Sequence, residues 1–223
     1  MVQIHLGPQM APPSSRPKDV LDLLDWKRRV FELYARVWQS GDPESAWGDW
    51  RRERDELFRN HPQSPLPSAA RRELGALTYF DYAPAARIEA TIDPAEPVHY
   101  DIATSGEGTY GFTRFATTSF ELHGIDIWLE LYWLDGYGGG LFLPFRDGTS
   151  GSETYGAGRY LLDTVKGADL GTTTGGRLVL DFNFAYNPSC SYDPAWVCPL
   201  APPANRVPVW IEAGERHEER VPG

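Results

Sequence analysis

The sequence predicts a mainly β protein: a single antiparallel barrel or β-sandwich of about nine strands, preceded by two N-terminal α-helices. From Leu77 onward apolar residues recur at every second position, as in Ile88, Ala90 and Ile92 or Val98, Tyr100 and Ile102, which is the period of half-buried strands. Short turn signals, among them Asp93-Pro94, Ser105-Gly106, His123-Gly124, Asp135-Gly136 and Gly175-Gly176, punctuate this pattern at intervals of about ten residues. No helical periodicity intervenes, which excludes a parallel α/β sheet.

Residues 1–16 are unpatterned and read as a flexible tail. Residues 17–62 read as a helical hairpin. Val20, Leu23, Leu24, Phe31, Tyr34, Val37 and Trp38 recur at helical spacing, Pro17 suits a first turn, and Gly41-Asp42-Pro43 is the stop. Asp42 as N-cap and Pro43 open the second helix, whose stripe is Trp47, Trp50, Arg54, Leu57 and Phe58 and whose end is Asn60-His61-Pro62. Its Arg51, Arg52, Glu53, Asp55 and Glu56 face mixes both signs, as a solvated face does. After a Pro-rich connector, Ser68 to Leu74 makes at most two turns.

Residues 63–223 then form the β domain. Strands are expected at Leu77 to Tyr82, Arg87 to Ile92, Val98 to Thr104, Thr109 to Leu122, Ile125 to Leu134, Leu141 to Phe145, Arg159 to Val165, Leu178 to Tyr186 and Val207 to Ala213. In the longest apolar run Ile125, Ile127, Leu129, Leu131 and Trp133 make one uniform face, while Asp126, Trp128, Glu130, Tyr132 and Leu134 make a mixed one. A closed barrel with such faces has a filled core or a small mouth, and mouths are where small molecules bind.

With 41% hydrophobic and 13% aromatic residues in 223, the chain can bury a substantial core. Its 21 basic and 31 acidic residues give a net charge of −10, which repels a phosphate backbone and sets nucleic acid aside as a partner. Met1 to Lys18 lacks the basic-then-apolar order of an export signal, and no apolar run approaches 18 residues, so a soluble, cytoplasmic protein without a membrane partner is expected.

Motifs for known chemistries are missing. Gly148-Thr-Ser150-Gly151 fails as a nucleophile elbow, since Ser152 stands where the second glycine belongs. There is no HExxH, P-loop or dinucleotide fingerprint, and His5, His61, His99, His123 and His217 are scattered, so neither cofactor nor metal site is expected. Cys190 and Cys198 are too far apart for a CxxC knuckle. They read as free thiols or a local disulfide, supply only half a zinc set, and Cys190 has no base beside it in sequence to act as a nucleophile.

What chemistry there is concentrates between Leu141 and Cys198. Asp147, Glu153 and Asp181 are the acid and base candidates. Arg146, Tyr155, Arg159, Asn183, Tyr186 and Asn187 are the ligand-binding candidates, the arginines favouring a polar or anionic small molecule. Three readings follow: a pocket for such a ligand, a cofactor-independent hydrolase or isomerase, or a structural and interaction module in which the same groups lock strands together.

The strings Trp50-Arg-Arg-Glu-Arg-Asp55, Pro144-Phe-Arg-Asp-Gly-Thr-Ser-Gly-Ser-Glu-Thr-Tyr155, Gly158-Arg-Tyr-Leu161, Asp181-Phe-Asn, Ala185-Tyr-Asn-Pro-Ser-Cys190, Cys198-Pro199, Asn205-Arg206 and Ala213-Gly-Glu215 resemble the DUF1684 family over roughly residues 44–215. The resemblance implies kinship with a bacterial and archaeal group and no particular reaction.

Overall fold

The computed structural model describes residues 16–217. The tail expected over 1–16 lies, apart from Arg16, outside them. Two long helices come first, α1 (Pro17–Gln39) and α2 (Pro43–Asn60), followed by the short α3 (Ser68–Glu73). Asp42 caps α2 as its sequence indicates, accepting a hydrogen bond from the Ser45 amide at 3.2 Å. The α2 stripe is buried at Trp47, Trp50, Leu57 and Phe58. In α1 only Leu33 and Tyr34 are buried, and Val20, Leu24, Phe31 and Trp38 keep exposed surface. Phe31 and Trp38 lie against Gly167 and Gly171 of a loop, which covers them less completely than a sheet would.

Seven strands follow: β1 (Arg87–Ala90), β2 (Asp93–Ala103), β3 (Thr109–Leu122), β4 (Ile125–Leu134), β5 (Leu141–Phe145), β6 (Arg159–Asp163) and β7 (Leu178–Asp181). β2 to β6 form an antiparallel sheet in chain order, and β1 pairs with β7 in a second, two-stranded sheet. The tight β3–β4 turn has both His123 (φ 54°) and Gly124 (φ 73°) left-handed, as a two-residue hairpin requires. The β2 and β6 edges do not pair, so the five-stranded sheet stays open and the closed barrel expected from the sequence does not form.

The count is also seven rather than nine. Leu77 to Tyr82 contributes only a bridge between Tyr79 and Glu215. Val207 to Ala213 is not a strand, although its burial alternates as predicted, with Val207, Val209, Ile211 and Ala213 inside and Pro208, Trp210 and Glu212 outside. Pro208 has no amide hydrogen to give a ladder. Side chains occupy the backbone groups further on: the Asp147 carboxylate accepts from the Ile211 amide at 2.8 Å, and the Arg159 guanidinium donates to the Ile211 carbonyl at 3.0 Å.

The main core gathers Ile127, Leu129, Leu131, Leu143, Phe145 and Leu161 from one face of the sheet with Ala90, Leu180, Trp50 and the inward residues of 207–213. Alternate residues point the other way. There Ile102, Phe112, Tyr132, Phe142 and Tyr160 form a second, aromatic cluster, with the Phe112 and Phe142 rings stacked at 4.9 Å. The mixed face of β4 is therefore covered at Glu130 and Tyr132, while Asp126 and Trp128 stay exposed, and its buried Glu130 accepts from Arg114 at 2.9 Å and from the Tyr132 hydroxyl at 2.6 Å.

Candidate functional site

The β5–β6 connection carries the first block of predicted site residues. Asp147 opens it as a turn-former: its carboxylate accepts from the Thr149 hydroxyl at 2.8 Å and the Ser150 hydroxyl at 3.3 Å. Arg159, the first residue of β6, lies fully inside over the Phe145 ring, 5.1 Å from its centroid. Its guanidinium donates to Asp147 at 3.4 Å and to the carbonyls of Ile211 at 3.0 Å, Ala213, and Glu215 at 3.4 Å. Burial pulls the Arg159 pKa below its usual range, and the Asp147 charge opposes that. Asp147 and Arg159 are thus brought together as an internal ion pair that ties the β5–β6 connection to the C-terminal segment.

The second block is spread over two further centres. Asp181, at the end of β7, accepts from the Asn183 amide at 3.1 Å and the Asn183 side chain at 2.8 Å. The Asn183 side chain also pairs with both backbone groups of Ala83, at 2.8 and 2.9 Å, and the Asn183 backbone carbonyl accepts from the Trp47 indole at 3.0 Å. Burial raises the Asp181 pKa to about 6, against the lowering effect of the Asn183 hydrogen bonds. The protonated acid is therefore favoured in the folded protein. Its contribution to stability is complete below about pH 4, where the unfolded chain's carboxyl is also protonated, and is lost as pH rises through 6, a change of about 2–3 kcal/mol. Asp181→Asn keeps the acceptor without the charge. Urea titrations from pH 4 to 7 are expected to show the wild type losing this increment relative to the variant.

The other centre surrounds Glu215, which sequence reasoning did not select. Its carboxylate accepts from Arg54 at 2.7 Å, the Asn187 amide at 3.1 Å and the Tyr192 hydroxyl. The Asn187 side chain donates to the Arg216 carbonyl at 2.9 Å. Tyr186 lies beside the Arg54 guanidinium, 5.2 Å from ring centre to charge. The signal for this centre was Arg54 itself, a cation at helical spacing within an apolar stripe, which demands a buried acceptor.

The remaining predicted residues face outward or stand apart from these centres. Glu153 pairs with Arg216 on the surface. The Tyr155 hydroxyl lies 3.9 Å from the Cys190 sulfur, and its ring packs edge-on to His217 at 5.3 Å. Cys190 and Cys198 are buried free thiols. Arg146 forms a parallel bridge with Arg206, bonded through the Arg146 amide to the Asn205 carbonyl at 2.9 Å and the Val207 amide to the Arg146 carbonyl at 2.8 Å. Bridged residues project to one side, so the two arginine side chains leave the bridge on the same face. Among the described residues no carboxylate is within ion-pair distance of either, and the buried Arg146 Nε has no acceptor.

Asn205 and Arg206 were not selected from the sequence either. Asn205 holds the bridge rigid: its side chain accepts from the Glu130 amide at 2.8 Å and donates to the carbonyls of Glu130 at 3.0 Å and Pro144 at 2.9 Å. Gly158 (φ 102°) makes room for the Arg146 stem, since a Cβ there would stand 2.8 Å from Arg146 Cγ and 2.5 Å from the Phe145 carbonyl oxygen. No described helix is long and apolar enough to cross a membrane, and no three described His, Cys, Asp or Glu side chains are grouped to hold a metal.

An open antiparallel sheet, a leading helix pair and internal Arg–carboxylate ties to the C-terminal segment define a β-rich domain of one architecture with a solved relative. That relative is an uncharacterized protein of Haloarcula marismortui, known by solution NMR, with 37% sequence identity, a TM-score of 0.56, and matching that covers 78% of this chain and 93% of the other. The chain belongs to the DUF1684 family, described as proteins of unknown function, whose model matches residues 72–216. Both β sheets and every internal tie to Glu215 fall within or end in that span. No functionally curated protein matches.

Proposed function

We propose that the protein binds a small anionic ligand, with Arg146 and Arg206 as the recognising pair. The reading is carried by one observation: two arginines paired across a backbone bridge, neither with a carboxylate within ion-pair distance, in a chain whose net charge is −10. With acidic residues in excess, the two bridged arginines still lack a compensating charge, and the buried Arg146 Nε lacks an acceptor. A carboxylate or phosphate offsets both costs, because its oxygens match the planar fork of Arg. The bridge backbone, fixed by Asn205, keeps the pair in place before the ligand arrives.

The ligand lies on the outer side of this bridge rather than in a barrel mouth, and Tyr155 is its aromatic neighbour in the same connection. Asp147, Arg159, Asp181, Asn183 and Asn187 take the other role weighed from the sequence, the structural tie, a reading favoured by their engagement with each other and with backbone groups. The cytoplasmic setting expected from the sequence belongs to the same proposal.

Titration calorimetry with citrate and with inorganic phosphate at low ionic strength tests it. The wild type is expected to give a saturable response to at least one probe. Arg146→Gln and Arg206→Gln are each expected to weaken it by about 10- to 100-fold, the worth of one or two charge-assisted hydrogen bonds. Arg72→Gln, at an exposed and unpaired arginine of α3, leaves it unchanged. Equal responses in all three variants, or none in the wild type, overturn the reading.

A further inference from the structure

The loop from Cys190 to Cys198 is bent back on itself. The chain turns at Ser189–Ser191, then the Asp193 carboxylate accepts from the Ala195 amide at 2.9 Å and its carbonyl from the Trp196 amide at 3.1 Å. The result sets Cys198 beside Cys190, with the two thiols hydrogen-bonded.

The far end of the loop is stapled to the turn between β2 and β3. Ser105 donates its amide to the Cys198 carbonyl at 2.9 Å, and the Cys198 amide donates to the Ser105 hydroxyl at 3.1 Å. Leu200 donates to the Ala103 carbonyl at 2.9 Å, and Val197 packs on Gly106, where a Cβ would meet it at 3.0 Å. On the other side, the Tyr155 hydroxyl faces the Cys190 sulfur at 3.9 Å.

The two sulfurs are not equivalent. Both are buried, Cys190 (8% exposed) less completely than Cys198 (2% exposed), so Cys190 is the nearer of the two to solvent. Hydrogen bonds converge on Cys190 from Cys198, Ser105 and Tyr155 and bring its pKa down to about 6, the Cys198 bond being the largest influence and burial opposing. The Ser105 hydroxyl has one proton to share between Cys190 and the Trp196 carbonyl, 3.2 Å away. Cys198, the donor of the pair, is raised by that same bond. Thiolate character and access together mark a reactive thiol. No base stands next to Cys190 in sequence, and the group that prepares it is the second thiol, which only folding brings near.

We propose that Cys190 and Cys198 form a redox pair in which a hydroperoxide oxidises Cys190 and Cys198 completes a disulfide. In the first step the Cys190 thiolate attacks the peroxide: an S–O bond forms, the O–O bond breaks, and the departing alkoxide or hydroxide takes a proton and leaves as alcohol or water. In the second step the Cys198 sulfur attacks the Cys190 sulfenic acid: an S–S bond forms, the S–O bond breaks, and water leaves with the Cys198 proton. Two thiols lose two electrons in all, and the peroxide gains them. A thiol reductant reverses the change. This inference does not rest on the Arg146–Arg206 reading; Tyr155 is the one residue the two have in common, and the thiol measurements below involve neither arginine.

The full chain, reduced with dithiothreitol and freed of it, is treated with equimolar hydrogen peroxide and followed by thiol titration and intact mass. The wild type is expected to lose both thiols, become lighter by two hydrogens and form no disulfide between chains. Cys198→Ser, treated in the presence of dimedone, is expected to carry the adduct on Cys190. Cys190→Ser is expected to keep its remaining thiol at the same dose, reacting at least tenfold more slowly. Persistence of both wild-type thiols, disulfides between chains, or dimedone on Cys198 of the Cys190→Ser variant at the wild-type rate each overturns the proposal. The wild-type mass measurement needs no variant and stands if a serine variant folds poorly.

Discussion

Arg159→Met is expected to destabilise the protein by about 3–5 kcal/mol, the cost of removing one partner from a buried ion pair. The substitution leaves the Asp147 carboxylate inside without its cation, and it strips the donor from the carbonyls of Ile211, Ala213 and Glu215. Methionine keeps most of the stem that lies over Phe145, so the loss is electrostatic and hydrogen-bonding rather than a cavity. Asp147 retains the Thr149 hydroxyl and the Ile211 amide, which limits its rearrangement but does not neutralise it. Arg159→Lys separates the contributions: an ammonium restores the charge opposite Asp147 but lacks the fork that reaches several carbonyls at once, so it recovers only part of the loss. Urea titrations at pH 7 measure both variants, a lower midpoint at unchanged slope being the expected result. Amide exchange is expected to accelerate most around Ile211, because there these side chains take the Ile211 amide and the carbonyls of Ile211 and Ala213. A midpoint equal to the wild type for Arg159→Met removes the pair from the fold's supports.

That segment also shows why part of the fold was legible in the sequence and part was not. The period-two burial of Val207, Val209, Ile211 and Ala213 is a local property, and the sequence displays it correctly. Whether such a segment joins a sheet depends on what its amides and carbonyls meet, and those partners, Asp147 and Arg159, lie more than fifty positions away. The seven strands that do form are joined by hairpins or backed by the core, so local alternation and turn residues sufficed. Closure of the sheet is a global property of strand tilt and edge pairing, and alternation carries no trace of it. The α1 stripe fails for a related reason: Phe31 and Trp38 have the spacing of core residues, but a loop carrying Gly167 and Gly171 lies against them, and both keep about half their surface exposed.

The site was legible by residue type and not by partnership. Arginines, carboxylates and asparagines between Leu141 and Cys198 stand out in any reading, yet the fold sorts them among separate centres. Arg146 and Asp147 are adjacent in sequence and point to opposite fates, one beside Arg206 and the other inside against Arg159. Alternation along an extended chain forces that separation. Asn205 and Arg206 belong to the strings that carry the family resemblance, but they have no periodic signal in a Pro-rich passage, and their structural meaning appears only once the bridge to Arg146 is seen.

Glu215→Gln is expected to cost about 3 kcal/mol, the low end of the range for breaking a buried ion pair, since the amide oxygen still accepts one or two of the original donors. The Arg54 guanidinium is enclosed by Trp50, Phe58 and Tyr186, with ring centroids at 4.8, 5.1 and 5.2 Å, and the Tyr79 hydroxyl at 3.2 Å is its other polar neighbour. Aromatic faces attract the cation but replace neither a negative charge nor its hydration. Glutamine therefore leaves a desolvated charge facing an amide dipole, while the Tyr192 hydroxyl and the Asn187 amide compete for a single acceptor oxygen. Arg54→Met leaves the complementary defect, a buried carboxylate with two neutral donors, and is expected to cost as much or more. The double variant has neither uncompensated charge, so its loss is expected to fall short of the sum of the single losses by about 2 kcal/mol, within the coupling measured for contacting residues. Since this pair joins α2 to the C-terminal segment, the single variants are also expected to expose the α2–α3 connection to limited proteolysis before the sheet unfolds. Strict additivity in the cycle rules out direct coupling between Arg54 and Glu215 and leaves the aromatic packing around Trp50 as what holds α2 to the β sheets.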